Sequence, residues 1–356
     1  MIVVIATFTF LSDISYAQVQ NLRLENLSVE DGLSQASVNY VSQDKDGYVW
    51  VSTDAGIQTY DGYNFKNISG PDDDFSSFAG YKTYESDDGL IWLDVYGKGL
   101  YTFDKITQTY ELMLKADEKN SISSFYHGDN KKVWIATITT VGYLDRKTKT
   151  FIKEVDLQEL LGIKNTIYHL YEKNNILYIA TSNGIFAYQI ETKQLLKLPS
   201  ITPQNTTNED YRVTEAAKAF VVMVIEQHLF IGTNDGVFSL GIVNIEEFFT
   251  RQQTLPKFEL IIPHISVWQF YQHNNLLLVA ANEGLYEFNL DIQSSNFQLS
   301  FDLYDLSIAN NYVRTLIVDK NGLYWMGSLS DGLFLWDPKS NGVQNYGYKK
   351  GSESIK

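Results

Sequence analysis

Cysteine is absent from the 356 residues, so disulfides, thiolate metal ligands and thiol nucleophiles are excluded. Proline is scarce at 6 and histidine scarcer at 5. The histidines form no i, i+4 pair and no His-Glu-x-x-His, which argues against a zinc site. Basic residues are in deficit, with 28 Lys and Arg against 43 Asp and Glu, for a net charge of −15. The longest basic runs are the pairs Lys131-Lys132 and Lys349-Lys350. A chain of this charge lacks the face that nucleic-acid phosphates or an anionic membrane require. Asp72-Asp73-Asp74 lacks the EF-hand spacing and reads as a solvated acidic loop. No metal and no cofactor is expected.

Long apolar runs are also missing. The stretch Ile2 to Leu11 is too short to span a bilayer. A polar break and Ser15-Tyr16-Ala17 follow it, so residues 1–17 are read as a signal peptide cleaved before Gln18. The expected positive n-region is missing, and a buried first strand is the alternative. The first reading puts the remainder outside the cytoplasm, in the periplasm.

Aromatic residues, by contrast, are plentiful: 24 Tyr, 20 Phe and 6 Trp. Such composition suits pleated, half-buried surfaces and leans towards β structure. The pattern repeats. "VSQDKDGYVWVSTDAGIQTYDG" (41–62) has counterparts centred on Trp92 and Trp134, each 42 residues after its predecessor. Tyr178, Phe230, Leu278 and Trp325 hold the same place in four further units. A polar insertion at 199–217 widens the longest interval. Each unit reads as strand, Asp-Gly turn, strand, Gly turn, strand, turn, strand. Four strands per 40–50 residues is the pattern of a propeller blade, whose faces are buried only by stacking on neighbours. The fold expected over residues 18–348 is therefore all-β, a seven-bladed β-propeller with four antiparallel strands per blade. Either 21–34 or 342–348 could supply the strand that closes the ring.

The first unit, "GLSQASVNYVSQDKDGYVWVSTDAGIQTYDG", resembles the two-component regulator propeller repeat. Gly32-Leu33-Ser34, Val38, Asp44, Gly47, Trp50, Thr53, Gly56, Tyr60 and Asp61-Gly62 match in place. Unit seven matches through Val313, Asp319, Gly322, Trp325, Gly327, Gly332 and Leu333. The resemblance implies a periplasmic sensor domain of a membrane-bound signalling receptor. Such receptors often pair two propellers with a membrane-proximal domain and a histidine kinase or diguanylate cyclase output, and the full-length protein is expected to be a homodimer. Residues 349–356 look like the start of a following repeat or linker, and the chain reads as part of a longer receptor.

Propeller ligands bind near the axis, where the loops entering each blade converge with those between its second and third strands. By that analogy the ligand-binding candidates are Tyr81, Tyr96, Lys98, Trp268, Asn282, Glu283, Tyr312, Arg314 and Asp331. Aromatic faces with amides and charges suit an oligosaccharide or another small polar ligand. The rival reading is a propeller enzyme acting on carbohydrate, as a glycosidase or lyase. Hydrolysis of that kind needs two positioned carboxylates, and inner-strand acids are sparse, so no catalytic residue is assigned.

Overall fold

The computed structural model describes residues 24–68, 80–116, 121–129, 131–162, 165–201, 217–242, 257–291, 298–304 and 312–339, with the single positions 245 and 249. Residues 1–17, Asp72-Asp73-Asp74, and residues 342–348 and 349–356 lie outside this set. Seven sheets of four antiparallel strands form a closed propeller. Blade one runs from the axis outward through Val38–Gln43, Val49–Thr53, Gly56–Tyr60 and Phe65–Asn67. The innermost strands of blades two to seven are Gly80–Glu85, Ile122–His127, Ile167–Lys173, Ala219–Ile225, Val267–His273 and Val313–Val318. Among the described residues helix is confined to short segments such as Val29–Asp31 and Leu157–Leu161, and none is long and apolar enough to cross a membrane.

Closure is settled by pairing. Glu25–Leu27 lies antiparallel to blade seven, with Leu27 opposite Leu333 and Glu25 opposite Leu335. Leu27 and Leu33 are buried in one cluster with Val38, Ile317 and Trp325, so the strand that precedes blade one seals blade seven.

Second strands are covered on both faces by adjacent blades. Val49–Thr53, Val133–Thr137 and Ile176–Thr181 are buried at every position, which is why they read as continuous apolar runs rather than alternating ones. The repeat residues have distinct tasks. Trp50 fills the gap to blade two and meets Phe103 edge-on at 6.1 Å; Trp325 likewise meets Tyr60 of blade one at 5.7 Å. Gly232 and Gly327 leave room for Val267 and Val38, which open the next inner strands and would collide with any Cβ there. Thr53, Thr181 and Thr233 each donate Oγ1 to the carbonyl of the glycine three residues on, which ties the turn between second and third strands.

The Asp of the repeat is a turn clamp. Asp44 accepts from the Gly47 and Tyr48 amides at 2.8 and 2.9 Å and from the buried Trp50 indole at 3.0 Å. Asp319 repeats this with Asn321, Leu323 and Trp325. In blade two Ser86 takes the indole of Trp92, while Trp134 reaches across to Glu172 of blade four. These carboxylates are committed to donors within the fold.

Candidate functional site

Every inner strand carries a register shift near its beginning. The shifts fall between Val38 and Tyr40, Gly80 and Thr83, Ile122 and Ser124, Ile167 and His169, Ala219 and Val221, Val267 and Gln269, and Val313 and Thr315. A bulge leaves one residue unpaired and re-aims its side chain. Here the re-aimed positions include Asn39, Lys82, Ser123, Tyr168, Phe220, Trp268 and Arg314, and these seven border one cavity of about 570 Å³ on the axis. Seven blades thus present one equivalent position each to a common space.

That space has two halves. Blades four to six supply an aromatic arc: Tyr168 meets Phe220 edge-on at 5.2 Å, and Phe220 stacks on Trp268 at 5.5 Å with planes 6° apart. The Trp268 indole donates to Asn282 Oδ1, which fixes the plane of a ring that keeps 41% of its surface exposed. Blades seven, one and two supply the polar arc of Arg314, Asn39, Lys82 and Asp94. Asn39 uses its amide nitrogen on Asp54 and on the Gly80 carbonyl, while its Oδ1 is buried with no partner.

The axial edge of each inner strand would leave backbone groups unpaired. Side chains from adjacent blades answer several of them. Lys82 Nζ donates to the Phe125 carbonyl at 3.0 Å, Tyr171 to Val224 at 3.2 Å, and Tyr271 to Val318 at 3.0 Å; Gln269 Oε1 accepts from the Leu316 amide at 2.9 Å. Tyr40, Gln269 and Tyr271 border both this cavity and a second one of about 740 Å³ that also meets Lys45, Glu85, His273 and Lys320.

Burial moves the protonation equilibria of this wall and of His127, which packs against Tyr84 and Trp92 away from the lining. It lowers Lys82 to about 8, against the opposing pull of Asp94, and raises Asp94 to about 7 against the pull of Lys82. Lys82 retains some accessible surface because it faces the cavity, yet protein atoms surround its stem. Burial, then the Lys82 charge, depresses His169 to about 3; burial, then Lys82 and Arg146, depresses His127 to about 4.

These shifts set a pH dependence. Both histidines stay neutral in the fold but take protons in the unfolded chain near 6.5, so their stabilisation is full above 6.5 and lost as pH falls towards 4. Asp94 acts oppositely, because its raised value favours the fold at low pH and that contribution fades as pH rises through about 7. Two histidines outweigh one carboxyl. At about 1.4 kcal/mol per pH unit and group, discounted for the solvent that reaches the cavity, the net loss from pH 6.5 to 4.5 is about 1–2 kcal/mol. Urea unfolding should show this loss in the parent and a flatter profile in the His127→Gln/His169→Gln double variant. Equal slopes would contradict it.

The residues nominated from sequence divide. Tyr96, Trp268 and Arg314 border the cavity, and Asn282 braces Trp268. Glu283 accepts from the Ser266 amide in the turn beside them. Lys98 sits in the blade-two turn, where its carbonyl accepts from Ala116, and its side chain does not line the cavity. Asp331 belongs to the closure turn, with Ser328 Oγ bonded to its amide and Asn26 to its carbonyl. Tyr312 is partly exposed just before the blade-seven inner strand and is likewise not a lining residue. The side chain of Tyr81 lies outside the described residues. Sequence reasoning missed Asn39, Lys82, Tyr168, His169 and Phe220. The available signal was positional, since Asn39, Tyr168 and Phe220 stand ten or eleven residues ahead of the Trp-equivalent, as Trp268 and Arg314 do.

Comparison with known proteins agrees with this architecture. Residues 32–55 match the family model described as two component regulator propeller. Over 72 residues, 20% of this chain and 5% of the relative, the sequence is 38% identical to histidine kinase P4 of Formosa agariphila. The extracellular domain of the hybrid two component system BT3049 from B. thetaiotaomicron superposes with a TM-score of 0.65 at 19% identity, over 89% of this chain and 42% of that one. Catalytically inactive virginiamycin B lyase from Staphylococcus aureus superposes at 0.63 with 12% identity, over 88% and 99%. At these identities the structural likenesses establish the fold. The chain spans a small fraction of its curated relative and about two fifths of the BT3049 domain.

Proposed function

We propose that this chain, which carries the two component regulator propeller repeat, is an extracytoplasmic ligand-sensing domain of a membrane-bound two-component-type receptor. On this reading residues 1–17 direct export, and kinase or cyclase output belongs to other parts of the receptor. A second propeller and a membrane-proximal domain are its partners, and the receptor works as a homodimer. The ligand is an oligosaccharide or a similar small polar compound held in the axial cavity. The observation that carries the reading is the ring of bulge residues. Seven blades spend a register irregularity each to aim side chains at one space, and three adjacent positions of that ring form an aromatic platform backed by amides and charges.

Binding would act through differential affinity for two arrangements of this propeller against its neighbours, since a ligand shifts an equilibrium only by that difference. Binding is placed ahead of hydrolysis because Asp94 is the single carboxylate among the described lining residues, and glycoside hydrolysis uses two.

The test is a thermal-shift screen of soluble oligosaccharides with product analysis of every hit. A ligand at 100 times its Kd adds about 2.7 kcal/mol, or roughly 3–6 °C in a chain of this size. The expected result is such a shift, lost in Trp268→Ala, with the compound recovered intact. Cleavage of a hit would favour the enzyme reading, and a screen without any shift would count against sensing by this cavity.

A further inference from the structure

We infer that the ligand of the axial cavity carries an anionic oxo-acid group, a carboxylate or a sulfate ester, docked on the guanidinium of Arg314. This rests on the ligand-binding reading above and names the chemical class of the compound bound. Arg314 occupies the bulge position of blade seven and lines the cavity. Among the described residues it has no ion-pair partner and no hydrogen bond. The other described arginine, Arg146, is held by Asp88, and Lys105 is held by Asp44, Asp46 and Glu85.

A guanidinium cannot escape its charge by deprotonation, and its planar fork matches a carboxylate or sulfate through paired bonds. The surroundings favour an anion too. The charged lining residues are Arg314 and Lys82 against Asp94, an excess of positive charge inside a chain of net −15. Lys82 is partly engaged, because its ammonium already serves the Phe125 carbonyl. Arg314 is the cation left for a ligand among the described lining residues.

Its place in the ring adds specificity. Blade six on one side carries Trp268 at the same position, and blade one on the other carries Asn39. An anion on Arg314 therefore sets the rest of the ligand between an aromatic face and a neutral polar edge. Asn39, its amide nitrogen donating to Asp54 and to the Gly80 carbonyl, gives the lining a fixed neutral polar edge. A guanidinium fork, a polar edge and a flat aromatic face together suit an acidic sugar.

The experiment titrates the purified chain with oligouronides, with their carboxyl-reduced neutral counterparts of the same linkage and length, and with sulfated oligosaccharides. Charged forms should bind at least tenfold more tightly than neutral ones. Arg314→Ala should weaken the charged forms about 10–100-fold, erasing their advantage over the neutral forms, with the melting temperature held and partial rescue in Arg314→Lys. Preference between uronides and sulfated sugars identifies which anion is read. Neutral and charged forms binding alike, or Arg314→Ala binding the charged forms normally, would overturn the inference and leave the sensing reading intact. Failure of all three classes to bind would instead count against the sensing reading.

Discussion

Replacing Leu27 with aspartate is expected to lower stability by about 3–5 kcal/mol, the cost of an uncompensated charge in a well-packed core. Leu27 is 7% exposed, sits opposite Leu333 and packs with Leu33, Val38, Ile317 and Trp325. The strand it belongs to has three residues, yet it alone gives blade seven its fourth strand and joins that blade to the segment entering blade one. Detaching it would bare the edge of Leu333–Trp336, and unpaired strand edges recruit other chains. The variant should therefore also aggregate more readily on heating. Asn26→Ala, which removes an exposed hydrogen bond to the Asp331 carbonyl, should cost below about 1 kcal/mol and serves as the control. Denaturant titration decides the matter. A Leu27→Asp loss no larger than that of the control would mean that the ring does not depend on this strand.

The second large effect concerns the repeat aspartate. Asp44→Ala is expected to cost about 3–4 kcal/mol, because it frees two turn amides and strands the indole N–H of a residue that is 2% exposed. Asp44→Asn should recover part of this, since the amide oxygen can serve the turn while its NH2 faces the Trp50 donor. Asp61 accepts from the Tyr63 and Asn64 amides at the surface, and Asp61→Ala should cost about 1 kcal/mol or less. If the Asp44 and Asp61 variants lost equal stability, the clamp would not be the reason for the Asp at that place in the repeat.

The fold was legible because its signals are periodic and local. Each Trp-equivalent sits near the start of a largely buried second strand, and each Asp or Gly turn stands where the backbone must reverse. The number of blades and their order follow from counting those marks. The closing strand was not legible, since 21–34 and 342–348 both stood as candidates and pairing across the whole chain leaves no local trace. The cavity lining was legible at Tyr96, Trp268 and Arg314, which fall at loop-proximal positions. It was hidden at Tyr168 and Phe220, whose neighbours make "IYHL" and "AFVV" look like ordinary core. A bulge turns one residue of such a run out of the packed face, and period-two reading assigns that residue to the wrong side. The clamp was half legible: the turn-forming role of Asp44 is local, but its bond to an indole six residues on needs the hairpin to be folded.

What depends most on the ring of bulges is the location of the ligand. The most direct measurement is a crystal structure of this chain with a compound from the thermal-shift screen bound. The account predicts density on the axis, with a ring of the ligand against Trp268 and polar contacts to Asn39 and Arg314. Density anywhere else, such as the groove between blades one and two near Lys105, with the axial cavity holding only water, would contradict it.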